Sequence, residues 1–92
     1  MVRIKYTGGF YRGLGEILRE NGDYKGLVDL AIERFVENPK DTRLKVHTLK
    51  RRMRGKWAFN VDDDVRIVFE WLGKRAVRFL AIGKHGKVYR RN

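Results

Sequence analysis

The sequence predicts an α+β domain made of a strand, a helical hairpin and a three-stranded antiparallel meander. Three observations carry this expectation. Val2, Ile4 and Tyr6 alternate with Arg3, Lys5 and Thr7, the period of a half-buried strand. Apolar residues then recur at helical spacing in two segments parted by Asn21-Gly22. Beyond Arg43 the period returns to two, in runs separated by short polar turns.

The elements follow in order. Gly8-Gly9 ends the first strand and turns the chain. Phe10, Leu14, Ile17 and Leu18 mark one face of a first helix, stopped by Asn21-Gly22. After Asp23 as candidate cap, Leu27, Leu30, Ala31, Arg34 and Phe35 mark one face of a second helix that ends before Asn38-Pro39. The two helices are expected to pack as an antiparallel hairpin. Strands follow over roughly 57–62, 65–72 and 75–82, with Trp57, Phe59 and Val61 on one side, then Ile67 and Phe69, then Val77, Phe79 and Ala81. Asp62-Asp63-Asp64 and Gly73-Lys74 sit at hairpin spacing, which makes these strands a meander. The first strand, set apart by two helices, joins the sheet elsewhere.

Ninety-two residues with one Pro, no Cys and 42% hydrophobic content point to one domain over 1–92, since two cores could not each bury enough surface. Without a thiol there is no disulfide framework, zinc knuckle or cysteine nucleophile, and a reducing compartment is expected. No stretch approaches the roughly 20 apolar residues of a membrane span, and Met1-Val2-Arg3-Ile4-Lys5 lacks the apolar core of a signal peptide. A cytoplasmic chain with no membrane partner is expected. Lys and Arg number 22 against 11 Asp and Glu, a net charge of +11 that calls for an acidic partner, nucleic acid first. An aromatic share of 12% with regular periodicity excludes a disordered basic tail.

The charge is unevenly placed. Lys40, Arg43, Lys45, Lys50, Arg51, Arg52, Arg54 and Lys56 are opposed only by Asp41, and the tail adds Lys84, Lys87, Arg90 and Arg91 without an acid. If the sheet joins these segments, they form a concave basic surface beside His47 and His85. The run Lys50–Lys56 suits phosphate contacts, against its plainer reading as a solvated loop.

The two histidines are candidate general acids or bases, against the plainer reading that each caps a carbonyl or packs at a strand end. With no Cys and no carboxylate pair near them they make a poor metal site, and no cofactor is implied. Arg66 interrupts the apolar run Val65–Phe69 on the same face as Val68 and Glu70. It serves either as one half of an ion pair with Asp64 or Glu70, or as a phosphate clamp whose planar fork stabilises the charge of a phosphorane. Tyr89, among Lys87, Arg90 and Arg91, is placed to stack on a base, whereas Trp57 fits core packing better. Gly13 and Gly15 fall in a helical pattern without phosphate-loop spacing, and the absence of serine excludes a serine hydrolase.

These residues together resemble a known family. Asn38-Pro39, Arg43–Lys50, Gly55–Phe59, Asp64–Phe69, Ala81–His85 and Val88-Tyr89, in that order and spacing, resemble the RelE/ParE toxin superfamily of bacterial and archaeal toxin–antitoxin systems, over nearly the whole chain. The resemblance implies the RelE-like microbial ribonuclease fold and, for the RelE-like branch, a toxin that cuts mRNA in the ribosomal decoding site without metal. In that mechanism the RNA 2′-hydroxyl attacks the adjacent phosphate. Partners implied are mRNA, the ribosome with its RNA, and an acidic antitoxin, the toxin being a monomer when free of it.

By the same resemblance Arg66 stabilises the transition state and His85 acts as general acid or base. His47 and Asp64 correspond to further catalytic positions, and Tyr89 to an aromatic that orients the substrate. Lys45, Lys50, Arg51, Arg52, Arg54, Lys56, Lys84 and Lys87 are the expected RNA-binding cations. Ala58 and Asn60 stand where RelE has lysines, and Ala81 where some members have an arginine, so the sequence resembles the histidine-using, YoeB- and YafQ-like branch more closely. Two alternatives stay open: a ParE-like toxin acting on DNA gyrase, and a basic nucleic-acid-binding module without catalysis.

Overall fold

A computed structural model describes residues 1–85 and 88. It contains strands β1 (Arg3–Tyr6), β2 (His47–Thr48), β3 (Trp57–Asn60), β4 (Val65–Trp71) and β5 (Ala76–Lys84), with helices α1 (Gly8–Glu20) and α2 (Tyr24–Glu37). Short 3-10 turns occupy Thr42–Leu44 and Arg51–Met53. The five strands form one sheet in the order β1-β5-β4-β3-β2, in which β1 runs parallel to β5 and every other pairing is antiparallel. The α+β class, the helical pair and the β3-β4-β5 meander follow the sequence expectation. A parallel neighbour needs a crossover, and the two helices supply it for β1 and β5. The two-residue β2, paired to β3 through His47↔Ala58 and Thr48↔Trp57, was not expected, because two residues carry no readable period.

Local chemistry explains where α1 begins. Thr7 Oγ1 accepts the Phe10 N–H at 3.2 Å and donates to the Phe79 carbonyl at 2.8 Å, so it caps the helix and anchors it to β5. Gly8-Gly9 is therefore the first turn of α1 and does not form the expected strand-ending turn. These glycines serve close approach. A Cβ on Gly9 would lie 2.7 Å from the Leu80 carbonyl oxygen, and one on Gly13 would collide with that of Ile82. The helix thus rests directly on the backbone of β5.

In α2, Asp23 stands at the N-cap position but its side chain makes no capping bond. The turn is held instead by Asn21 Oδ1, which accepts the Asp23 N–H at 3.0 Å, and by the Tyr24 hydroxyl, which donates to Asp62 Oδ2 at 2.7 Å. The buried face is Val28, Ala31 and Phe35. Leu27 and Leu30, expected on that face, are 44% and 41% exposed because they flank this stripe. Phe35 stacks on Phe59 with centroids 4.5 Å apart and meets Phe69 edge-on at 4.9 Å. Around them Phe10, Ile17, Ile67, Val77, Phe79 and Ile82 complete the core between helices and sheet.

The opposite face carries a smaller cluster, Ala58, Val68 and Val88, with Leu49, Met53, Leu80 and Ala81 half-buried around it. Its makeup depends on a β-bulge. Val68 pairs with Ala81 and Phe69 with Phe79, so Leu80 has no partner across the ladder. One extra residue inverts the alternation. Ala81 therefore points to this second face, and not to the side of Val77 and Phe79 as strict alternation predicts.

Candidate active site and nucleic-acid interface

Directly paired residues point to the same side of a sheet, so the register lays out the second face. One row across it is His47, Ala58, Val68 and Ala81, and the next is Asn60, Arg66 and Gly83. Beside these rows lies a groove of about 400 Å³. Its floor is Val68, Leu80 and Ala81; Val88 borders it, and Arg12, Arg52 and Lys56 supply its cations. An aliphatic floor with a cationic rim suits a nucleotide chain, whose phosphates seek the rim while sugar and base cover the floor. Arg12 was missed by sequence reasoning, because helical periodicity alone leaves it on a solvated side. Only the seating of α1 on β5 carries it to the groove.

The loop between β2 and β3 presents Lys50, Arg51, Arg52 and Arg54 to solvent, with Lys56 half-buried. Arg51 at φ 59° and Gly55 at φ 90° are both left-handed, and Arg52, Met53 and Lys56 of this loop line the groove. Lys45, also left-handed at φ 51°, is exposed beside the half-buried Trp57, which packs against Phe69 as a core residue. Lys84 projects to the helical side, where its Nζ lies 3.4 Å from Glu20 Oε1. Lys87, Tyr89, Arg90 and Arg91 lie outside the described residues.

Arg66 sits half-buried in the middle of its row. One guanidinium N–H donates to the Asp63 carbonyl at 2.8 Å. Among the described residues it forms neither of the ion pairs considered for it, and Glu70 instead accepts from Arg78 at 2.7 Å. Asp64 is exposed; its N–H donates to Asp62 Oδ1 at 2.9 Å, and its carbonyl accepts the His85 N–H at 2.9 Å. That last bond extends the β4-β5 ladder by one step and brings His85 beside the start of β4. His47 Nδ1 lies 2.8 Å from the Lys45 carbonyl. A carbonyl only accepts, so Nδ1 carries a hydrogen, and in the neutral imidazole Nε2 is then the acceptor. Arg66 thus has His85, just past β5, on one side and His47 on the other, two strands and one row away, or about 12 Å by ideal strand spacings.

The carboxylate that organises this corner is Asp62, not one of the candidate catalytic residues. Burial pushes its carboxyl up, but the Tyr24 hydroxyl, the Val65 and Asp64 N–H groups and the Arg66 charge outweigh burial and hold it below the ordinary value. The same hydrogen bond, with burial, pushes the Tyr24 hydroxyl up to about 12. Asn60, the cross-strand partner of Arg66, is 8% exposed.

The fold built from this sheet and helical pair is shared by several solved toxin structures. YafQ from E. coli strain BL21(DE3) superposes with a TM-score of 0.78 at 18% identity, covering 97% of this chain and 99% of YafQ. YafQ in the E. coli DinJ-YafQ complex gives 0.76 at 18%, covering 97% and 99%, and the YoeB dimer from Staphylococcus aureus gives 0.70 at 10%, covering 91% and 97%. No family model and no curated protein sequence matches this chain, so the likeness is one of fold.

Proposed function

We propose that this chain is the toxin of a type II toxin–antitoxin pair, an endoribonuclease that cuts ribosome-bound mRNA in the cytoplasm without a metal ion. The observation that carries the reading is the seat of Arg66: a strand-borne guanidinium with donors to spare, flanked by the two histidines, beside a basic groove. Cleavage requires the ribose 2′-hydroxyl to lose its proton and bond to the adjacent phosphorus. The P–O5′ bond then breaks as the 5′-oxygen gains a proton, leaving a cyclic 2′,3′-phosphate. His47 Nε2 takes the first proton, His85 gives the second, and Arg66 holds the equatorial oxygens while their charge grows. Asp64 holds the backbone of His85 in place.

YafQ is found in complex with DinJ. By analogy the partner proposed here is an acidic antitoxin segment that covers the groove and blocks phosphate access. The loop of Lys50 to Lys56 grips RNA phosphates on the ribosome.

The test is primer-extension mapping of cuts on ribosome-bound mRNA, with purified protein in chelator. His85→Ala and Arg66→Ala should each lose a rate factor of about 10² to 10⁴ while remaining folded. Undiminished cutting by these variants would falsify the site. A wild-type protein that does not cut returns the choice to the gyrase-directed or binding-only reading.

A further inference from the structure

Among the described residues, the second face holds one buried polar side chain to which the mechanism above gives no role. Asn60 ends β3 at 8% exposure, and its Oδ1 is buried without a hydrogen-bond partner among the described residues. A buried amide oxygen with no donor costs stability, so folded proteins keep few of them and each calls for a reason. Its cross-strand neighbour is Arg66. Paired side chains on one face have Cβ atoms only about 5 Å apart. Arg66 commits one N–H to the Asp63 carbonyl, and a guanidinium has several more. An orphan acceptor therefore stands beside a cation with unused donors.

We propose that Asn60 is a positioning residue for Arg66. When an RNA phosphate occupies the face, the guanidinium leaves the Asp63 carbonyl and docks on Asn60 Oδ1, and its remaining N–H groups meet the equatorial oxygens of the phosphorane. The inference rests on the ribonuclease reading above. The Asp63 carbonyl belongs to an exposed residue, where water can replace the guanidinium at little cost. The Asn60 oxygen is dry, so a bond to it holds direction more firmly. An amide is also neutral: it aims the fork without cancelling the charge that the phosphorane needs, as a carboxylate would. Glu70, the nearest carboxylate on the same strand face, is held by Arg78.

An acceptor left unpaired in the free protein makes stability and activity move in opposite directions when it is removed. Asn60→Leu, similar in volume and without the orphan oxygen, should melt at or above the wild-type temperature. On ribosome-bound mRNA it should cut 10- to 100-fold more slowly, with kcat reduced and KM nearly unchanged. In an Arg66→Ala background the same replacement should cause no further loss, because the two residues act as one unit. Asn60→Ala, which adds no bulk, repeats the cycle in case leucine disturbs packing. Two results would overturn the proposal while leaving the ribonuclease reading intact: wild-type cutting rates in both Asn60 variants, or a full additional loss from both of them on top of Arg66→Ala. Failure of the wild type to cut overturns both together.

Discussion

Replacing Gly13 by alanine sets two opposed effects against each other. Inside a helix, glycine is less favourable than alanine by about 1 kcal/mol, so propensity alone predicts a more stable protein. At this site the new methyl would run into the Ile82 carbonyl and approach Ile82 Cγ2 to 3.2 Å. Overfilling a packed site costs about 1–3 kcal/mol, and the upper end applies where the obstacle is a strand backbone held in its ladder. The net expectation is a loss of about 2 kcal/mol, equivalent to a melting temperature lower by roughly 8–16 °C for a domain of this size. Gly26 in α2 is the matched control, because a Cβ there meets nothing within 4 Å. Gly26→Ala should gain about 0.5–1 kcal/mol and melt a few degrees higher. Thermal and urea unfolding followed by far-ultraviolet circular dichroism measures both. If Gly13→Ala melts at or above the wild type, α1 does not rest on the backbone of β5, and the placement of Arg12 at the groove falls with it.

Two further outcomes follow from the charges. Binding to ribosomes or single-stranded RNA should weaken with salt, and replacing Arg51, Arg52 and Arg54 together by alanine should flatten the log–log slope by about 2, at ~0.7 per lost contact; an unchanged slope means the loop touches no phosphate. The Tyr24 hydroxyl, raised from 10.0 to about 12 by its bond to Asp62, contributes stability that is whole below its unfolded pKa and is lost as pH rises through about 12. Tyr24→Phe should remove that alkaline dependence in urea denaturation, whereas an unaltered pH profile shows that the bond does not form in solution. Asp62, held low, acts with the opposite sign: its contribution is present above the ordinary carboxylate pKa and fades as acid protonates it.

What the sequence revealed, and what it hid, divides along local and non-local physics. Repeated periods showed both helices and the meander, because Phe59, Ile67 and Phe69 must all face one core whatever their partners. Periodicity includes Leu27 and Leu30 in the buried face of α2, but a helix with apolar residues on two adjoining stripes does not say which one meets the sheet. Gly8-Gly9 read as a turn because close approach to a strand leaves no local signature. Strict alternation sets Ala81 beside Val77 and Phe79, whereas the Leu80 bulge that turns it to the other face is a property of pairing and not of either strand alone. At the site, Arg66 and both histidines were legible as chemistry out of place: a charge in an apolar run, imidazoles in basic surroundings. Arg12 and Asn60 were not, since their interest comes from what α1 and β4 bring beside them. Lys84 looked like part of the basic surface, and the alternation of β5 sends it to Glu20 on the other side.

The parallel pairing of β1 with β5 has a consequence for how the chain is made. Arg3 lies opposite Ala76 and Tyr6 opposite Phe79, so the sheet joins residues from near the two ends of the sequence. The strand inserted between β1 and β4 is made after the other four described strands, and it carries Val77, Phe79 and Ile82 of the core as well as the carbonyls on which α1 rests. A nascent chain that has extruded both helices and two meander strands still has no bed for α1, no second wall for its groove and no neighbour for Arg66 on the β5 side. Closure over so long a separation is slow, and it comes after most of the chain is already exposed. If the chain acts on ribosomes as proposed above, its site stays incomplete until β5 has left the ribosome that makes it.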